Sequence, residues 1–186
     1  MLNTKNYIKI ITCILIILAG SSLFSQDNKG TTKEFPVPAG NTKQLFYLQR
    51  NENINTVVYE LNEEKGILNP TAPIHVFWIL YLKQAQHEEL SSMEKKFAYG
   101  IKIKSCDKEQ CFFTLVAYPK ITLHLTKDSS QKFHVYITPV KKQMILQKTF
   151  IKVKEGGFKL DPVVEYVEFS GIEVASGKEI TERITP

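Results

Sequence analysis

Two histidines, two cysteines and an arginine beside two asparagines are the side chains in this 186-residue chain whose spacing could support chemistry. His124 and His134 flank the polar segment Lys127-Asp128-Ser129-Ser130-Gln131. If that segment closes a simple hairpin with Thr126 opposite Lys132, His124 faces His134 on one side, and Leu123, Leu125, Phe133 and Val135 share the other. Directly opposed side chains lie about 4.5 to 5.5 Å apart at Cβ, near enough for two imidazoles to share a metal. Stable zinc binding wants three or four ligands, and local spacing brings neither His75 nor His87 to the pair. His124 and His134 are therefore candidate metal ligands without a third, against the plainer reading of two neighbours on a solvated polar face.

Cys106 and Cys111 bracket Asp107-Lys108-Glu109-Gln110 between two apolar runs, which predicts the two ends of a hairpin loop. Paired positions across such a loop lie within reach of a disulfide, and the spacing predicts one in an oxidising compartment. The closed loop is short, so its stabilisation falls at the low end of the usual range. A redox centre would want a two-residue spacing at a helix start, which is lacking here. Arg50 with Asn53 and Asn55 forms a third cluster. An arginine beside amides in a loop can grip a carboxylate, phosphate or sugar. In the competing reading the asparagines serve a turn and Arg50 pairs with an acid such as Glu60.

Ser92-Met93-Glu94-Lys95 matches the Ser-x-x-Lys signature of penicillin-recognising enzymes, but the further motifs and the large α/β scaffold of those enzymes are missing. The chain has no Gly-x-Ser-x-Gly elbow, no His-Glu-x-x-His pair and no phosphate-cradling glycine loop. No cofactor and no catalytic residue are predicted.

The elements that must position these residues are mostly strands. Ile74 to Leu82 is the longest apolar run after the N-terminus, with Ile74, Val76, Trp78, Leu80 and Leu82 on one side and His75, Phe77, Ile79 and Tyr81 on the other. Apolar on both faces, it predicts a strand inside the structure and not at its edge. Leu45 to Gln49 and Thr56 to Leu61 predict a hairpin, and Asn62 to Thr71 reads as a loop. Further strands are predicted at Ala98 to Lys104, Phe112 to Tyr118, Ile121 to Thr126, Phe133 to Thr138, Met144 to Lys154 and Pro162 to Phe169, with a last pair at Ile172 to Ala175 and Glu179 to Ile184. Pro119-Lys120 and Glu155-Gly156-Gly157 are among the turns between them. Ser91 and Glu94 fit a capping box, and Gly100 can close the helix, so one short helix is predicted around 88–98 with Leu90, Met93 and Phe97 as its packed stripe. Short, closely spaced strands with one helix predict an all-β fold, an antiparallel β-sandwich or a closed barrel. Lys148, Lys152 and Lys154 share one side of a strand and read as a solvated face.

Residues 1–25 have the layout of a signal peptide, with Lys5 and Lys9, an apolar stretch from Ile10 to Ala19, and small residues to Ser25. The stretch is short of the roughly 20 residues a membrane span requires, so no permanent span is expected after cleavage. Residues 26–42 predict a flexible lead-in and 43–186 a single all-β domain. The formal charge of +5 includes the two leader lysines, so the remaining excess is mild and singles out no partner, and export takes the chain away from nucleic acid.

Leu45 to Leu82, with its Phe-Tyr-Leu-Gln-Arg, Asn-Thr-Val-Val-Tyr-Glu-Leu-Asn and Phe-Trp-Ile-Leu-Tyr segments, followed by Ala98-Tyr99-Gly100, resembles a family of exported bacterial proteins known only as a domain of unknown function. The matching positions are Arg50, Asn55, Tyr59, Trp78, Tyr99 and Gly100. The resemblance implies a compact secreted domain and supplies no activity, cofactor or catalytic residue. The expectation is an exported module, periplasmic or secreted, that binds a small apolar ligand, a glycan or another envelope protein, with inward aromatics lining a cavity if the strands close. The alternative is a hydrolytic or metal-dependent enzyme whose site assembles only in three dimensions.

Overall fold

A computed structural model describes residues 35–154 and 163–185; the leader reading of 1–25 and the turn read at Glu155-Gly156-Gly157 lie outside the described residues. The described chain is all-β with one short helix. Its strands are β1 (Gln44–Arg50), β2 (Asn53–Leu61), β3 (Glu63–Glu64), β4 (Ile67–Leu68), β5 (Ile74–Leu80), β6 (Gln86–Glu89), β7 (Ile101–Cys106), β8 (Cys111–Leu115), β9 (Tyr118–Lys127), β10 (Phe133–Ile137), β11 (Met144–Val153), β12 (Val164–Glu173) and β13 (Glu179–Ile184). The helix, α1, spans Ser92–Phe97.

All but β3 and β4 join one curled sheet in the order β6-β5-β2-β1-β11-β10-β9-β8-β7, with β12 and β13 added beside β11. Ten-residue β11 therefore has three neighbours. Its far edge pairs with β12 along its whole length. Its near edge is shared, with Met144 and Ile145 on β10 and Lys148 to Ile151 on β1. The β1–β11 pair is parallel, a departure from the antiparallel expectation that the roughly hundred-residue connection between the two strands permits.

Alternation places the core on the concave side. Phe46 and Leu48 of β1, Val57 and Tyr59 of β2, and Ile74, Val76 and Trp78 of β5 meet Phe113, Leu123, Leu125, Val135, Leu146 and Phe169 there. The opposite face of β5 is also covered, because Phe77 and Ile79 pack with Val58 under Tyr47 and Tyr81. As expected of a strand apolar on both sides, β5 lies between β2 and β6, and Trp78 is 8% exposed. The apolar run outlasts the strand, however. It turns at Leu80 into a single 3-10 turn over Tyr81–Lys83, so Leu82 points outward and is 83% exposed.

The capping box at α1 is present. Ser91 Oγ accepts the Glu94 N–H, and Glu94 Oε2 accepts the Ser91 N–H at 2.8 Å. The other Glu94 oxygen accepts the Trp78 indole N–H at 3.0 Å. Partial burial pushes the Glu94 carboxyl up, but the Ser91 contacts and the indole hold it below its ordinary value. The packed stripe expected on this helix is corrected: Leu90 is buried just ahead of it, while Met93 and Phe97 are 67% and 60% exposed. Six residues are too few to lay three stripe positions on the sheet. Gly100 ends the segment where a Cβ would sit 1.9 Å from the Lys95 carbonyl oxygen.

Two shorter features escape the sequence pattern. Segment 62–71 contains the β3–β4 hairpin, turned by Lys65 and Gly66 at positive φ, and Leu68 from it is buried in the main core. Pro119 and Lys120 lie within β9 and not in a turn, since the reversal occurs at Val116-Ala117. The end of the lead-in is pinned. Phe35 sets its ring edge to Phe150 at 5.4 Å, and the Pro36 carbonyl accepts Gln49 Nε2 at 2.7 Å. No described helix is long and apolar enough to cross a membrane.

Candidate functional site

One recess lies where the sheet forks. In β11 the inward side chains run Met144, Leu146, then Thr149, Ile151 and Val153, so Gln147 and Lys148 both point away from the core and the pairing with β12 slips by one between Leu146 and Lys148. That is a β-bulge, the usual device for bending a strand and ending a pairing. On one side of it β11 is held by β10, on the other by β1, and the N-terminal halves of those two strands splay apart. Gly171 of β12 presses against the same spot. A Cβ there would lie 2.0 Å from the Ile145 carbonyl oxygen and 3.2 Å from Leu146 Cα, so no side chain fits.

The groove that opens at the fork has a volume of about 820 Å³, within the range of small-molecule sites. Leu45, Tyr47, Ile145 and Ile180 give it an apolar lining. Gln44, Gln147, Ser170 and Thr181 add amide and hydroxyl groups, and Ser170 and Thr181 are bonded oxygen to oxygen at 2.8 Å. Lys43, Lys132 and Lys148 bring three ammonium groups against the one carboxylate of Glu179, and among the described residues none of the three is ion-paired. Such a lining suits a polyhydroxylated or anionic guest. Lys148, read from sequence as part of a solvated face, is a wall of this groove.

His134 also lines the groove, but it is not opposite His124. Phe133 pairs with Lys127, which sets His134 against Thr126 and His124 against Tyr136. The reason for the shifted register is Asp128. Its carboxylate accepts the N–H groups of Ser130 and Lys132, at 2.8 and 3.0 Å, so the loop closes over 128–132 and both strands move by one residue. The Ser130 hydroxyl, then the Lys132 N–H and, more weakly, His134 hold the Asp128 pKa down at about 2. His134 Nε2 lies 3.1 Å from Asp128 Oδ2, and His124 Nε2 lies 3.0 Å from Gln110 Oε1 while its ring stacks on Phe112 at 4.1 Å. Each histidine thus has its own partner, and among the described residues no group of three or more His, Cys, Asp or Glu is placed to hold a metal.

The other sequence candidates stand apart from the groove. Asn53 Oδ1 accepts the Asn55 N–H at 3.0 Å, and Asn55 Oδ1 accepts the Tyr81 N–H at 3.1 Å, so both serve the backbone. Arg50 is half-buried on the same hairpin, and its Nε has no partner among the described residues. Glu60 accepts from Asn41 and not from Arg50. Cys106 and Cys111 are cross-strand partners at the end of the β7–β8 hairpin, as their spacing suggests, and both are free thiols. Cys111 is fully buried, and burial together with Cys106 alongside pushes its thiol far above the ordinary value. Lys95 of the Ser-x-x-Lys match points away from Ser92 to Glu89, at 3.3 Å.

A second recess adjoins the first. The curled path ends at β6 and β7, which do not pair with each other, and between β7 and the start of β5, ahead of its ladder with β6, lies a slot of about 580 Å³ with Leu61, Ile74, Val76, Ile101 and Ile103 in its lining. Lys43 and Leu61 line both recesses, and the Leu61 N–H to Lys43 carbonyl bond of 2.8 Å makes the last rung between them.

No curated protein and no solved structure matches the chain. A family model does match, over residues 46–183, and so takes in β11 with its bulge, Gly171 and most of the lining of both recesses. On that match the chain belongs to the family described as Domain of unknown function (DUF4833).

Proposed function

We propose that this protein is an exported, non-enzymatic binding module whose fork groove takes a small polyhydroxylated anion. The observation that carries the reading is the concentration, in one recess of about 820 Å³, of amide and hydroxyl groups with three lysines that have no ion pair among the described residues, Lys148 resting only over the Phe150 ring. Export is supported by the leader-like layout of residues 1–25. Isothermal titration of the purified domain with sn-glycerol 3-phosphate and glucose 6-phosphate, each against its unphosphorylated parent, tests the reading. The phosphorylated probes are expected to bind and to weaken as salt is raised. Lys148→Glu should reduce their affinity about tenfold or more, the scale of one lost charge-assisted hydrogen bond. Equal binding of the neutral parents, or none by any probe, would sink the proposal.

The export reading carries a covalent expectation. In an oxidising compartment Cys106 and Cys111 join as a disulfide, supported by their position as direct cross-strand partners. Protein recovered from an exported fraction should then resist alkylation at both positions until reduced, as intact-mass analysis would show. Two alkylated thiols without reductant would refute it.

A further inference from the structure

We infer that the natural guest is an amphiphile, with its anionic head in the fork groove and an aliphatic chain laid in the slot between β5 and β7. The inference rests on the fork-groove reading and extends it to the class of ligand.

Four observations bear on the slot. Its apolar lining is mostly branched aliphatic, from Leu61, Ile74, Val76, Ile101 and Ile103, and the ring among its lining residues, His75, is held by Glu89 and tilted against Phe77. Flat sugars or nucleobases are normally gripped by rings, whereas methyl and methylene groups pack well against such a surface. The slot also lies between the outer edge of β7 and the start of β5, where Ile74 to Val76 precede the ladder with β6, and Ile101 and Ile103 of β7 are only half-buried there, leaving apolar surface that a chain would cover. Lysine at 102 and 104 alternates with those isoleucines on the same strand, a pattern that protects an edge against pairing with another strand and so speaks against a peptide occupant.

The remaining observation is continuity. Lys43 and Leu61 belong to both recesses, at the final rung of the β1–β2 ladder, so a guest can pass over the end of that rung from one recess to the other. The charges on the slot's rim are largely committed. Glu60 is bonded to Asn41, and His75 and Lys95 both engage Glu89. Lys43 alone is uncommitted among the described residues, and it stands where head would meet tail.

A chain-length series tests this. Butyl, hexyl, octyl and decyl phosphate, each below its micelle concentration, are titrated into the intact domain beside sn-glycerol 3-phosphate. Affinity should rise about fourfold per methylene until the slot is filled, the value expected for burial of one CH₂. Ile103→Glu should flatten that slope; if the variant fails to fold, Ile101→Thr should reduce it, and the wild-type slope stands as evidence by itself. Decyl phosphate binding no tighter than glycerol phosphate would overturn the inference and leave the fork-groove reading intact. Failure of every probe would remove both. A slope that Ile103→Glu leaves unchanged would mean surfactant adsorbed elsewhere, and would overturn it too.

Discussion

Gly171→Ala is expected to destabilise the domain by about 3 kcal/mol, lowering its melting temperature by about 10 °C, and to weaken phosphate binding at the fork. The physical reason is contact between backbones. Gly171 sits in the middle of β12, where a methyl group would stand 2.0 Å from the Ile145 carbonyl oxygen and 2.9 Å from its carbon. Neither atom can move without pulling apart the β11–β12 ladder, which runs from Met144 to Val153. The penalty therefore cannot be relieved by rotating a side chain, as many overpacked sites allow. Because Ile145 and Leu146 lead into the bulge, displacing them also shifts Gln147 and Lys148 in the groove wall. Thermal melts and titrations on the same variant check both parts. An alanine variant that melts with the wild type would show that the close approach is not there.

Trp78→Ala should be comparably damaging, at about 3 to 5 kcal/mol. The indole stands edge-on to Tyr99 at 4.8 Å, and its N–H is bonded to the carboxylate that caps α1. Removing it opens a cavity in the main core and cuts the tie between β5 and the helix. Trp78→Phe separates the two contributions. It keeps most of the packed volume and loses only the bond to Glu94, so it should cost about 1.5 to 3 kcal/mol, the range for a hydrogen bond to a charged acceptor. Denaturant titration of both variants measures the difference. Equal losses would mean that the hydrogen bond, and not the ring, anchors this strand.

Local pattern carried the fold a long way. The two-faced apolar run gave β5 and its sheltered position, the asparagine-rich turn gave the β1–β2 hairpin, and Ser91 with Glu94 gave the helix start, because each depends on residues within a few positions of one another. Where the reading failed, a distant partner decides. Ser170-Gly171 looked like the gap between two strands, yet β12 continues through it, since Gly171 is small for the sake of β11 and not for a turn. Met93 and Phe97 keep helical spacing, but the helix is too short to bring them to the sheet. The histidine register turned on one aspartate whose carboxylate takes the N–H groups of the loop.

The groove was invisible for the same reason. Its walls set β1 against β10 to β13, which it joins through the parallel β1–β11 pairing, and no spacing along the chain encodes that meeting. One signal was available, the doubled polar step Gln147-Lys148 inside an otherwise alternating strand, which marks a bulge. Asn53 and Asn55, read either as part of a ligand grip with Arg50 or as residues serving a turn, each accept a main-chain N–H.

The pairing of Tyr47 with Lys148 also governs the order in which the molecule can assemble. Synthesis delivers β1 well before β11, so the neighbour on one of its sides is not supplied until about a hundred residues later. Throughout that interval β1 can be satisfied only by the hairpin it forms with β2, and its other edge stays open to any passing chain. Closing so long a loop is slow, since chain entropy is lost before the distant contact repays it. A chaperone that shields the open edge of β1 until β11 has been made would thus protect this architecture at the stage when it is most exposed to aggregation.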